Sequence, residues 1–297
     1  MAEALRGELR ENEPMADHVS WRAGGVAARA YFPADLDDLA AFVRTLRHDE
    51  PLMVVGQGSN LLVRDGGFDG TIVFTRGALQ NLRQEQDGSI HVEAGVASPK
   101  VARFAADHDL TDAEFLAGIP GTFGGALAMN AGCHGGETWS FVERVRMLNR
   151  RGEFIERLPD EFAVGYRHVG LKAATDEIFA AAWLRFPAGD GALSRQRIAA
   201  LLENRIARQP LDLPNAGSVF RNPPGDHAAR LIEAAGLKGS MEGGARVSEK
   251  HANFIVNPGG AGSAAEIERL IGRIQAVVRE KFGVELMREV RIVGESR

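Results

Sequence analysis

A glycine-rich loop that joins two apolar runs constrains this chain more than any other stretch. Leu52-Met-Val-Val-Gly56 reads as a short buried strand, and Gly56-Gln-Gly-Ser-Asn60 follows it where a dinucleotide-binding turn would stand. The G-x-G-x-x-G fingerprint needs a third glycine where this chain has Leu61, and Leu61-Leu-Val63 continues as strand instead of opening a helix. No Gly-Lys-Ser/Thr follows, so the Walker pattern fails as well. What remains is a strand–loop–strand. Its backbone N–H groups can converge on an anion, with Ser59 and Asn60 adding side-chain donors; the alternative is a plain tight turn.

A second glycine-rich element runs Gly118-Ile-Pro-Gly121-Thr-Phe-Gly124-Gly125-Ala-Leu-Ala-Met-Asn130-Ala-Gly132. Pro120 suits a first helical turn, and Gly121 and Gly125 at i,i+4 would leave one helix face without side chains. Glycine inside a helix costs on the order of 1 kcal/mol relative to alanine, so fold stability alone explains the cluster poorly. Close helix–helix packing is the alternative. The two elements together point to a dinucleotide cofactor bound in extended form. The expected cofactor residues are Gly56, Gln57, Gly58, Ser59, Asn60, Leu61, Gly118, Ile119, Pro120, Gly121, Thr122, Gly124, Gly125, Asn130, Ala131 and Gly132.

Charge and composition narrow the partners. The 297 residues are 44% hydrophobic and 25% charged, with a net charge of −5, enough chain for two or three packed domains. An acidic chain is a poor match for nucleic acid or an anionic membrane surface, so neither is expected. The N-terminus lacks the apolar core of a signal peptide, no run is long enough to span a bilayer, and a single cysteine, Cys133, offers no disulfide or zinc pair. A cytoplasmic protein without a metal site is the expectation, with Cys133 as core filler.

Periodicity predicts a helix over 34–49 (Leu36, Leu39, Ala40, Val43, Leu46), strands at 70–75 and 90–94, and a helix capped by Ser98 with Pro99 in its first turn. Residues 141–158 and 178–186 read as sheet strands, and a helix starting at Ser194 ends before Pro210. Beyond it strands (218–220, 253–256, 285–293) alternate with helices (226–235, 263–282), the last helix carrying a Ser263…Glu266 capping box and Gly283 as terminator. That change of character sets a boundary near 190–213 and an α/β unit after it.

The segment Asn215-Ala-Gly-Ser-Val-Phe-Arg-Asn-Pro223 places one hydroxyl, Ser218, after a small-residue turn, with Arg221 and Asn222 close behind. Such a serine either caps the turn or hands over a proton. No Gly-x-Ser-x-Gly elbow surrounds it, which disfavours an esterase-type nucleophile. His251 has no second histidine at ligand spacing and reads as a hydrogen-bonding structural residue.

Taken in order, Asn12-x-Pro14, Trp21-Arg22-x-Gly24-Gly25, Gly56-x-Gly58-Ser59-Asn60, Gly118-Ile-Pro-Gly121 through Gly132, Tyr166-Arg167, Asn215-Ala-Gly-Ser218 with Asn222-Pro223, His251-Ala-Asn253-Phe254 and Glu289-Val290 resemble the UDP-N-acetylenolpyruvoylglucosamine reductase family over nearly the whole chain. The resemblance implies an α+β fold, with an FAD-binding region of the vanillyl-alcohol-oxidase type over 1–192 (two α+β subdomains, roughly 1–76 and 77–192). An α/β substrate domain over 193–297 follows, whose last strand is a candidate to return to the flavin region. It implies bound FAD, NADPH as co-substrate, a UDP-sugar substrate, a place in peptidoglycan precursor synthesis and a monomer. By the same resemblance Ser218 is the proton donor, Arg167 and Glu289 stabilise an enolic intermediate, and Asn222, Arg208 and Tyr166 meet the substrate. Read alone, Arg208 is equally a surface charge, and Arg22, Arg221, Arg230 and Arg246 are further candidates for the diphosphate. Val169 departs from the family's serine after Tyr-Arg, removing a hydrogen bond that would orient Arg167. The short stretch between Arg167 and Ser194 matches the shorter subclass, which lacks a tyrosine-bearing loop.

Overall fold

The computed structural model describes residues 4–173 and 176–296. The chain divides into two compact units, one made of residues up to Arg10, Ala30–Gly56 and Thr71–Asn204, the other of Glu11–Arg29, Gln57–Gly70 and Arg205 onward. Helices and strands mix in both, as an α+β protein requires.

In the first unit the strand Leu52–Val55 runs parallel to Phe68–Phe74, Leu52 beside Thr71 and Val55 beside Phe74. Helix α1 (Leu36–Thr45) starts where Asp35 accepts a hydrogen bond from the Asp38 N–H at 2.9 Å, a standard N-cap. It buries Leu39, Ala40, Phe42 and Val43, and Phe42 stacks on Tyr31 with ring centroids 3.7 Å apart.

A five-stranded antiparallel sheet follows, in the order Phe154–Arg157, Val142–Asn149, Glu177–Leu184, Ile90–Glu93, Leu82–Gln84. Val92, Val145, Met147, Ala182 and Leu184 join a core with α2 (Ser98–Asp107) and α3 (Phe123–Met129). Side chains alternate across a sheet, so the opposite face carries His91, Trp183, Arg144 and Arg146. The Arg144 guanidinium lies 4.1 Å from the Trp183 ring centroid.

Three helix starts differ from expectation. The N-cap of α2 is Ala97, without a side-chain cap, and Ser98 is already helical with its Oγ buried and unpartnered. Helix α3 begins at Phe123, so Pro120 and Gly121 precede it; Gly121, at φ 107°, shares no helix face with Gly125. Helix α4 (Gly191–Arg208) starts three residues before Ser194, because Asp190 accepts from the N–H groups of Ala192 and Leu193. Ser194 instead donates to Glu114 at 2.8 Å.

In the second unit α5 (Ala228–Ala234) and α6 (Ala264–Phe282) pack on a core of Trp21, Leu62, Val219, Phe220, Leu231, Ile267, Leu270, Ile274 and Val278. The expected strand at 218–220 is only an isolated bridge between Phe220 and Arg288, and the expected strands at 253–256 and 285–293 shorten to Ile255–Val256 and Arg291–Val293. Arg291–Val293 pairs in parallel with Leu61–Val63, bringing the end of the chain to the strand after the first glycine-rich loop.

Candidate active site

Each unit gathers its own group of the expected residues. In the first, Gly56 ends the strand Leu52–Val55 directly against Thr122: a Cβ on Gly56 would fall 3.0 Å from the Thr122 Cβ and far closer to its hydroxyl. Only glycine allows that approach. Thr122 bridges to Ala97, and the Ser98 N–H donates to the Gly121 carbonyl at 3.1 Å. Two buried hydroxyls, Ser98 Oγ and Thr122 Oγ1, thus belong to paired backbone segments and lack hydrogen-bond partners among the described residues. Buried polar atoms are nearly always satisfied, so this pair fits a ligand with polar edges.

The glycines beyond Thr122 serve different ends. Gly124 abuts the end of a strand, with Ala94 Cβ 2.8 Å from where its own Cβ would be, whereas a Cβ on Gly125 would meet nothing nearer than Thr122 Oγ1 at 4.0 Å. The first two N–H groups of α3 do not await an anion. Phe123 and Gly124 donate to the carbonyls of Val96 and Ala94 at 2.7 and 2.9 Å.

Asn130 closes α3 in the left-handed conformation, φ 41°. Its side chain, expected at the cofactor, bonds only within the protein: Nδ2 donates to Glu137 Oε2 at 3.0 Å and to the Gly165 carbonyl at 3.3 Å, and Oδ1 accepts from the Trp139 N–H at 3.1 Å. Arg167 stands on the two-residue turn between the strands Phe162–Gly165 and His168–Leu171, also at positive φ, 53°. Its Nη2 donates to the Gly132 carbonyl at 2.7 Å, and its guanidinium carbon lies 5.2 Å from the Tyr166 ring centroid. Gly132 therefore supplies an anchor that Val169 does not, since Val169 packs toward the core. Tyr166 is exposed. Cys133 is half-buried, and its thiol donates to the Phe115 carbonyl at 3.0 Å.

In the second unit Gly58, at φ 63°, lies so near the His18 carbonyl and the Val19 Cα (2.8 Å from a built Cβ) that no side chain fits. Its carbonyl accepts from the Ser20 N–H at 3.1 Å. Among the described residues the N–H groups of Gly58 and Asn60 have no acceptor, which fits a loop waiting for an anion. Asn60 also ties the loop to Glu289: its Nδ2 donates to the Glu289 carbonyl at 3.3 Å, and its own carbonyl accepts from the Arg291 N–H at 3.0 Å.

Asn215, not Ser218, closes the turn before the serine, its Oδ1 accepting from the Gly217 N–H at 2.9 Å while Gly217 takes φ 73°. Val219 and Phe220 are fixed by Asn253, whose carbonyl and Oδ1 accept their N–H groups at 2.9 and 3.0 Å. The Glu289 N–H donates to the Val219 carbonyl at 2.8 Å, so Ser218 and Glu289 sit on adjoining segments. Ser218 is half-buried, and its hydroxyl makes no hydrogen bond among the described residues.

The expected substrate residues are more scattered. Asn222 is exposed, and its Oδ1 accepts from the Ala228 N–H at the start of α5. Arg208 is the exposed last residue of α4. Arg230 is ion-paired with Asp226, while Arg221 and Arg246 each keep a buried Nε without a partner. His251 accepts the Asn253 N–H at 3.3 Å and meets the Phe254 ring edge-on; burial holds its pKa below the ordinary histidine value. Sequence reasoning missed Ser98, Glu137 and Gly165. Contact between residues 35 apart leaves no trace in local spacing, and only the adjacency of Gly165 to Tyr166-Arg167 hints at it.

Residues 27–157 match a family model described as an FAD binding domain, and residues 209–293 match the C-terminal domain of UDP-N-acetylenolpyruvoylglucosamine reductase. The protein of that name from Thiobacillus denitrificans is 56% identical over 309 residues, covering 100% of this chain and 95% of the relative. That from Legionella pneumophila strain Paris is 54% identical, covering 98% of this chain and 95% of the relative. A crystal structure of UDP-N-acetylenolpyruvylglucosamine reductase from Thermus caldophilus superposes with a TM-score of 0.81 at 30% identity, over 97% of this chain and 99% of that one.

Proposed function

The chain belongs to the UDP-N-acetylenolpyruvoylglucosamine reductase family, and from that premise we propose that it reduces the enolpyruvyl ether of UDP-N-acetylglucosamine to UDP-N-acetylmuramate, with NADPH and FAD, in peptidoglycan precursor synthesis. When bound, FAD supplies hydride carriage between NADPH and the vinyl carbon. The chain supplies the rest. Residues 1–192 serve the flavin and 193–297 the sugar nucleotide, a division supported by family-model matches over 27–157 and 209–293, while the segments 11–29 and 57–70 pack in the same compact unit as the C-terminal residues.

Hydride arrival at the terminal vinyl carbon leaves negative charge on the adjoining carbon and its carboxylate. Arg167 meets that carboxylate with a fixed positive charge, and an interaction that strengthens as charge develops lowers the barrier. Glu289 assists as a hydrogen-bonding acid. Ser218 then gives its proton to the carbanionic carbon. Serine is a weak acid, but the acceptor is a strong base, and transfer depends on the difference between them. In the first unit the hydroxyls of Ser98 and Thr122 would hydrogen-bond polar edges of the flavin; in the second, the backbone N–H groups of Gly58 and Asn60 would suit an anionic group. Asn222 and Arg208 approach the sugar nucleotide, Arg208 as a planar donor to phosphate, with Tyr166 beside it in role. The protein acts as a monomer in the cytoplasm; no helix of the described residues is long and apolar enough to cross a membrane.

One observation carries the reading of Ser218: its hydroxyl has no structural task, because Asn215 closes the turn and Asn253 holds the residues that follow. Ser218→Ala should leave flavin binding and its reduction by NADPH unchanged. Reoxidation by the enolpyruvyl sugar, followed by flavin absorbance in single turnover, should slow by about 10²–10⁴-fold. Reoxidation at the wild-type rate would refute the acid assignment.

A further inference from the structure

We propose that Asn130 and Glu137 are a positioning pair for Arg167, an inference that rests on the role of Arg167 given above. Asn130 is 2% exposed. An amide side chain offers two N–H donors and a carbonyl acceptor, and Asn130 commits both donors, to Glu137 and Gly165, and its oxygen, to Trp139. Both donors are thus spent on the protein, and the oxygen is held by a backbone N–H.

These bonds close a ring. Asn130 Nδ2 holds the carbonyl of Gly165, the residue from which the Tyr166-Arg167 turn springs. Arg167 reaches back 35 residues to the Gly132 carbonyl. Gly132 pairs with Glu137 in a tight antiparallel ladder, and a Cβ on it would come 3.0 Å from the Glu137 Cγ and still nearer the Gly136 carbonyl. The Glu137 carboxylate returns to Asn130. Thr138 fixes the middle of the segment, its N–H and hydroxyl donating to the Ala131 carbonyl at 3.0 and 2.7 Å. The start of the turn, at Gly165, and the tip of the Arg167 side chain are thus referred to the same short stretch, 130–132, through two independent contacts.

Arg167 stands on a two-residue turn whose other member, Tyr166, is 49% exposed. A long cationic side chain has many rotamers to lose on ordering, and each fixed contact in the ring narrows that set. Displacing a catalytic group by about 1 Å can cost on the order of 10²-fold in rate, so the ring serves orientation and not affinity for the flavin.

The experiment compares Glu137→Ala, Glu137→Gln, Arg167→Ala and the double variant Glu137→Ala/Arg167→Ala, each purified with its flavin. Glu137→Ala should slow reoxidation by the enolpyruvyl sugar about tenfold, while the flavin dissociation constant stays within about twofold. Glu137→Gln keeps an acceptor for Asn130 and should restore most of the rate. In the Arg167→Ala background, Glu137→Ala should cost nothing more, because coupled residues are non-additive. Additive losses, or a loss of flavin affinity in parallel with rate, would overturn the positioning role. If Arg167→Ala alone left reoxidation untouched, the role of Arg167 itself would fall, and this inference with it.

Discussion

Single residues here act through what their neighbours relieve them of. Ser218 is free for chemistry because Asn215 forms the turn, whereas Asn130 has both donors and its oxygen held by three protein groups. His91 shows the same logic in its proton. Burial pushes its pKa down to about 4, helped by the charge of Arg83, whose Nη1 lies 2.9 Å from Nδ1. Arginine has only donors, so Nδ1 accepts and the ring is neutral with its proton on Nε2. The unfolded state takes up a proton near pH 6.5 that the folded state refuses until about 4. The stability that neutral His91 contributes is therefore complete above pH 6.5 and lost progressively as pH falls from there toward 4. In His91→Asn, which keeps an acceptor for Arg83, the melting temperature should fall less steeply across that window than in wild type. Equal slopes would mean that the ring is protonated in the folded protein.

Among the elements, local chemistry decides where a helix starts only when no stronger contact competes. Helix α6 starts as its sequence says, with reciprocal bonds between Ser263 and Glu266 at 3.2 and 3.0 Å, and Asp65 adds acceptors for the N–H groups of Ala264 and Ala265. Ser263→Ala should cost about 1 kcal/mol and lower the melting temperature by about 2–4 °C; an unchanged transition would mean that Asp65 alone suffices. Helices α2 and α3 depart from their local signals. Ser98 looks like a cap, yet the segment bearing Gly121 pairs alongside and draws it into the helix. Pro120 looks like a first-turn proline, yet α3 opens only at Phe123, and the carbonyls of Val96 and Ala94 take the N–H groups of Phe123 and Gly124.

The whole molecule answers to its cofactor through linkage. If the unpartnered hydroxyls of Ser98 and Thr122 receive FAD, adding it to stripped protein at 100 times its dissociation constant should add about 2.7 kcal/mol of stability. Differential scanning calorimetry of stripped and reloaded protein reads this directly, and a transition indifferent to FAD would contradict the cofactor fit. Amphipathic helices such as α1 and α6, the strand–loop–strand at 52–63 and the ordered glycine motifs were legible in the chain itself, because periodicity, caps and positive-φ glycines are local properties. The segment 215–223 brought Ser218 forward as either a turn cap or a proton donor, and the order of motifs alone brought Arg167 and Glu289. What the chain could not show is which polar atoms remain unsatisfied after folding. That Asn130 is committed to Glu137 and Gly165, that Asn215 spares Ser218, and that 218–220 is no strand all depend on partners far away in sequence, and only the packed structure selects among the acceptors each donor could reach.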